Sequence, residues 1–151
     1  MTGLSGSGKI VLRYDYVKTD SGEVDVGTFA ITKGRTITFN KFMYDDSDYL
    51  SAEYADAVET GGFAKGTTYL NVPDHECGHI FTRYDKRYFT ELQRVCDDRA
   101  LKSGISRKDY IEAHIAAYAS YSRELSAEIN SMRYGSCSSF ALNMLKEAGL
   151  V

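Results

Sequence analysis

VPDHECGHIF, residues 72–81, holds two of the chain's three histidines, His75 and His79, with Glu76 between them. Pro73 suits the first turn of a helix, where its missing N–H would have had no partner, and Asp74 complements the helix dipole. On a helix, positions four apart lie one turn apart on the same face, so both imidazoles reach one ion about 2.0 Å from each nitrogen. Cys77, Ile80, Phe81 and Tyr84 fall largely on the opposite side and give the helix an apolar back. Cys77 therefore reads as an ordinary core thiol. Gly78 costs about 1 kcal/mol of helix propensity relative to Ala, and its bare backbone admits a close neighbour. His75-Glu76-Cys77-Gly78-His79 satisfies H-E-x-x-H, in which the histidines bind zinc and the glutamate serves as general base.

A catalytic zinc takes three protein ligands and leaves one position for water. The pattern H-E-x-x-H-x-x-G-x-x-H fails, because position 82 is Thr and position 85 is Asp. Asp97 and Asp98 in ELQRVCDDRALKSG are candidates on a helix that Gly104 ends. His114 shares helical spacing with Ile111, Ile115 and Tyr118, which makes it a core histidine or one that supports a ligand. Glu124 is favoured. In SRELSAEINSMRYG, Ser122 can cap a helix on which Glu124 and Glu128 share one face while Leu125, Ile129 and Met132 form another. Glu124 would then bind the ion, and Glu128 would accept a hydrogen bond from the free ring N–H of a ligating histidine.

Upstream the period changes. Ile10, Leu12, Tyr14 and Tyr16 alternate with Arg13 and Asp15, the signature of a half-buried strand. Val24 to Thr32 and Arg35 to Asn40 flank Lys33-Gly34 and read as a hairpin. After DDSD, Leu50, Tyr54, Ala57 and Val58 recur at helical spacing until Gly61-Gly62 stops them. TTYLNV, residues 67–72, reads as a short strand and offers an edge for an extended peptide. The expectation is one α+β domain over 1–151, an N-terminal antiparallel sheet followed by a mostly helical half carrying the site.

Composition narrows the function classes. At 151 residues, with 43% hydrophobic and 26% charged residues, the sequence is that of a soluble globular protein, with no apolar run near the roughly 20 residues that span a bilayer. The net charge is −3 and the Lys and Arg residues are scattered, so neither nucleic acid nor membrane is an expected partner. Cys77, Cys96 and Cys137 are too few and too widely spaced for a disulfide framework. Gly3 to Lys9 matches G-x-x-x-x-G-K, yet Ile10 stands where a magnesium-binding hydroxyl belongs and no strand precedes it. A flexible Gly/Ser segment over 1–8 is expected instead. MTGLSGSGKI lacks a charged leader followed by an apolar stretch, which suggests a cytoplasmic protein, or one released with a phage particle or toxin.

HECGH followed by YASYSRELSAE resembles the catalytic domain of anthrax lethal factor and its bacterial and phage relatives, gluzincin metallopeptidases, over roughly residues 66–133. The resemblance implies a zincin-like fold, Zn²⁺ as cofactor, and His75, His79 and Glu124 as its ligands. It also implies Glu76 as catalytic base and a tyrosine about two turns ahead of the ligating glutamate as oxyanion donor, matched by Tyr118, with Tyr121 as the alternative. Ser126 and Ile129-Asn130 depart from the family's usual apolar or aromatic residues. The expected activity is zinc-dependent hydrolysis of a peptide or protein substrate. The alternative is a non-catalytic zincin-fold module within a larger phage or toxin assembly, against which Glu76 argues, since structural zinc needs no general base.

Overall fold

The computed structural model describes residues 9–120 and 123–151. Strand β1 (Val11–Asp15) and the hairpin of β2 (Ala30–Lys33) and β3 (Thr36–Asn40) form a sheet of order β1-β3-β2. The hairpin is antiparallel, closed by Gly34-Arg35 with Gly34 at φ 60°, a conformation glycine adopts without strain. The antiparallel expectation fails for β1, which pairs parallel with β3 from Val11 opposite Thr36 to Asp15 opposite Asn40. The chain reverses once between β1 and β2 and again at the hairpin, so β3, inserted between them, runs the way β1 does.

Two further expectations about this sheet are corrected. The strand expected from Val24 starts only at Ala30. The Asp25 carboxylate accepts hydrogen bonds from the amides of Gly27 and Thr28 and from the Thr28 hydroxyl, so the chain turns there rather than extending. Nor is β1 half-buried: Leu12 and Tyr14 are 65% and 53% exposed. Alternation reports strand geometry, whereas burial needs a second layer, and every residue of this edge strand is exposed.

Helices follow. After the short α1 (Lys41–Tyr44), Asp46 caps α2 (Ser47–Glu59) by accepting from the amides of Asp48 and Tyr49, and Gly61 at φ 86° ends it. The stretch 67–72 is not a strand. Thr68 accepts from the Leu70 amide while Asn71 accepts from the Thr68 amide, and this capping box makes Tyr69–Asn71 a 3₁₀ turn leading into α3 (Val72–Tyr84). Then come α4 (Arg87–Ser103), ended by Gly104 at φ 70°, and α5 (Arg107–His114). A 3₁₀ turn at Ala117–Ser120, α6 (Glu124–Met132) and α7 (Ser138–Glu147) complete the chain. No helix among the described residues is long and apolar enough to cross a membrane. The expectations for residues 1–8, Tyr121 and Ser122 fall outside the described residues.

Two apolar clusters flank α3. Under the sheet, Ile37, Met43, Leu50 and Tyr54 meet Val72 and Ile80 of α3. Beyond α3, Leu92, Val95, Ile111, Leu125, Ile129 and Leu145 join α4 to α7. Burying a side chain of this size contributes about 1.5–3 kcal/mol, so α3 is gripped from both sides. Along its remaining face it meets α6, and that seam is polar.

Candidate metal centre

Gly78 decides how closely α3 and α6 approach. A Cβ built at Gly78 would stand 2.6 Å from Ala127 Cα and 3.1 Å from the Ser126 carbonyl oxygen, so only glycine permits this contact between backbones. Polar pairs fix the direction. The Ser126 and Thr82 hydroxyls lie 2.5 Å apart, and Asn130 Nδ2 donates to the Asp74 carbonyl at 2.6 Å. Helix α6 therefore runs antiparallel to α3, with its first two turns over the histidines.

This crossing brings His75, His79 and Glu124 together. Glu124 Oε2 lies 3.2 Å from His75 Nε2 and 3.4 Å from His79 Nε2, and one ligand atom from each residue falls within 4.8 Å of the others. Glu128 sits behind His75, its Oε1 2.8 Å from Nδ1. The approach is close without a well-aligned hydrogen bond, and among the described residues the Glu128 carboxylate, at 0% exposure, has no other partner. A buried carboxylate in that position demands positive character at the imidazole. Burial opposes a charge on His75, but Glu128, Glu124 and Glu76 outweigh it and push its pKa up to about 10. Burial likewise works against ionised Glu124, yet the two histidines bring its carboxyl down to about 2.

These residues fit a metal ion. Donors held tetrahedrally at 2.0–2.1 Å from one ion stand about 3.3 Å from one another, which matches the separations of Glu124 from the two imidazoles. With one proton on Nδ1 toward Glu128, the Nε2 lone pair faces a carboxylate oxygen, an arrangement resolved by a second proton, consistent with the raised pKa of His75, or by a metal cation in its place. Two imidazoles and one carboxylate form a donor set of catalytic zinc.

Glu76 is buried on the same helix and accepts from the Thr32 hydroxyl of β2 at 2.5 Å. Burial raises its pKa, His75, Thr32 and His79 act against the shift, and the Glu124 carboxylate reinforces it. A cleft of about 1190 Å³ opens over these residues, bounded by β2 on one side and by Phe63, Thr82, Arg123 and Tyr118 elsewhere. Tyr118 is half exposed. Its amide donates to the Gly61 carbonyl at 2.9 Å, and Gly61 leaves room for Ala117, whose Cβ would lie 2.8 Å from an added Cβ.

The other candidates lie elsewhere. Asp97 and Asp98 are exposed on α4 and pair with Arg107 and Arg94. Cys77 is free and packs against the cluster under the sheet. His114 is exposed, so it is not the core histidine expected, although its ring lies 4.5 Å from that of Tyr110 and 6.0 Å from that of Phe140; the helical spacing holds from Ile111 to Ile115, whose amide donates to the Ile111 carbonyl, and fails at Tyr118 because α5 has ended. No family model, curated protein or solved structure matches the chain. Thr32, Ser126 and Asn130 support the site through contacts spanning 44 to 56 positions, and nothing local in the sequence announces such partners.

Proposed function

We propose that the protein is a zinc-dependent endopeptidase of zincin-like, gluzincin type, with His75, His79 and Glu124 as zinc ligands. The observation that carries this reading is the convergence of those three donors beside a buried carboxylate, Glu76, on the floor of an open cleft. Zinc, when bound, makes its water acidic enough to supply hydroxide near neutral pH and polarises a carbonyl. Glu76, aligned by Thr32 and raised in pKa by burial, is suited to take that water's proton and return it to the leaving amine. Glu128 holds His75 in orientation. Tyr118, at the cleft wall, donates a hydrogen bond to the oxyanion.

Substrate binding moves to a different strand from the one first expected. The edge at 67–72 does not exist, whereas β2 is the outer strand of its sheet and lines the cleft at Ala30, Ile31 and Thr32. Among the described residues no strand pairs with its free side, so an extended peptide can add there. Incubating zinc-loaded protein with a complex peptide mixture, and reading new termini by mass spectrometry, tests the proposal. Wild type should generate new termini, and Glu76→Gln at equal zinc content should lose at least about 10²-fold in rate. Equal cleavage by both proteins would refute it.

A further inference from the structure

The cleft has two unlike ends. Phe29, just before β2, packs edge-on against Phe63 at 5.2 Å, and Phe63 packs against the His75 ring at 5.5 Å. Arg35, just past β2, stacks on Tyr84 at the C-terminal end of α3, 4.4 Å from its ring centre. Strand β2 and helix α3 thus run side by side in the same direction, joined in the middle by Thr32 and Glu76. Among the described residues, the lining at the Phe63 end, with Ala57, Gly62 and Val72, carries no charged side chain apart from the site histidine His75. The far end is lined by Arg83, Lys86 and Arg123. Arg123 belongs to this end because α6 runs antiparallel to α3 and Ser126, three residues on, meets Thr82.

These three cations stand together in a chain whose net charge is −3. Among the described residues none of the three has a carboxylate within ion-pair distance, whereas their neighbour Arg87 is held by Asp85 at 2.7 Å. Arg83 lies beside the Tyr84 phenol, itself exposed. The two carboxylates in the lining, Glu76 and Glu124, are engaged by Thr32 and by the histidines. Uncompensated positive charge at one end of a concave, partly apolar site attracts and orients anionic ligands.

Antiparallel pairing is the more stable per residue, and a peptide so paired with β2 runs from the basic end to the Phe63 end, with its N-terminal half among the cations. Arg83 is one helical turn past His79, about 6 Å along the axis, which is about two residues of extended peptide. Resting on the peptidase reading, we infer that the cleft selects peptides carrying Asp or Glu at about the second to fourth positions before the cleaved bond. Arg83, Lys86 and Arg123 determine that specificity.

The test is the pattern of cleavage sites that zinc-loaded protein leaves in a proteome-derived peptide mixture, compared with Arg83→Glu/Lys86→Glu and, separately, Arg123→Ser at matched zinc content. Acidic residues should be favoured about five- to tenfold at those positions in wild type. The preference should shrink as salt rises from about 0.05 to 0.5 M, and it should vanish or invert in the charge reversal. Cleavage without acidic preference, or a preference untouched by the reversal, overturns the inference while leaving the peptidase reading intact. If wild type carries zinc and cuts nothing, the peptidase reading fails. Fluorescein-labelled Glu-rich and Lys-rich octapeptides binding to zinc-loaded Glu76→Gln then decide: a Glu-rich preference lost on reversal upholds an acidic ligand, and equal binding refutes it.

Discussion

Glu128 carries a carboxylate at 0% exposure, tolerable only because His75 faces it at 2.8 Å. Glu128→Gln keeps the shape and removes the charge, so zinc affinity measured by chelator competition should fall about 10–100-fold. Unchanged affinity would remove Glu128 from the site. Tyr118 is tested by deleting one atom. If its hydroxyl bonds chiefly to charge developing in the transition state, Tyr118→Phe should lower kcat about 10²-fold with little change in KM or zinc content, and wild-type turnover would leave it a wall of the cleft. The residues the structure brings together, His75, His79 and Glu124, were legible because i,i+4 spacing is local and the second helix carried its carboxylates on one face. Thr32 was not, since its link to Glu76 spans 44 positions and a threonine in a strand carries no mark of such a partner. The helical spacing of Ile111 and Ile115 does not reach Tyr118, because α5 stops and a 3₁₀ turn begins at Ala117.

The crossing of α3 and α6 is the element on which the site depends. Gly78→Ala sets two effects against each other, a gain of about 1 kcal/mol in helix propensity and a clash of the new Cβ with Ala127 Cα at 2.6 Å. The obstacle is backbone and cannot rotate away, so overpacking, about 1–3 kcal/mol, should win. The melting temperature should fall, and zinc affinity with it, because α6 carries Glu124 and Glu128 away from the histidines. A more stable variant with unchanged affinity would contradict this account of the seam. The need for a small residue at position 78 could be read from sequence, whereas what would fill the space could not. The misread elements share a cause: at 67–72 and 24–29 the side chains of Thr68, Asn71 and Asp25 take backbone partners that a strand would have used.

A metal site at His75, His79 and Glu124 would make the stability of the protein depend on pH and on metal. In the metal-free protein the raised pKa of His75, about 10 against 6.5, stabilises the fold fully below 6.5, and that contribution is lost as pH rises towards 10. The depressed pKa of Glu124, about 2 against 4.5, contributes above 4.5 and is lost as pH falls through 2. Metal-free protein should therefore melt highest between about pH 4.5 and 6.5. Zinc replaces the proton at His75, so the loaded protein should lose the alkaline decline and gain about 2.7 kcal/mol at zinc a hundredfold above its Kd. Differential scanning fluorimetry across pH, with and without zinc, checks both, and a metal-free melting temperature that climbs from pH 6.5 to 10 would contradict the assignment of His75.

The most direct test of the three-residue site is a zinc titration of the purified, metal-stripped protein. The protein should take up about one tight zinc per chain, lost or severely weakened in His75→Ala, His79→Ala and Glu124→Ala and kept in Asp97→Ala and Asp98→Ala, because three protein ligands are needed to hold the ion. Full zinc retention in either histidine variant, or loss of zinc on removing Asp97 or Asp98 with Glu124→Ala unaffected, would contradict it.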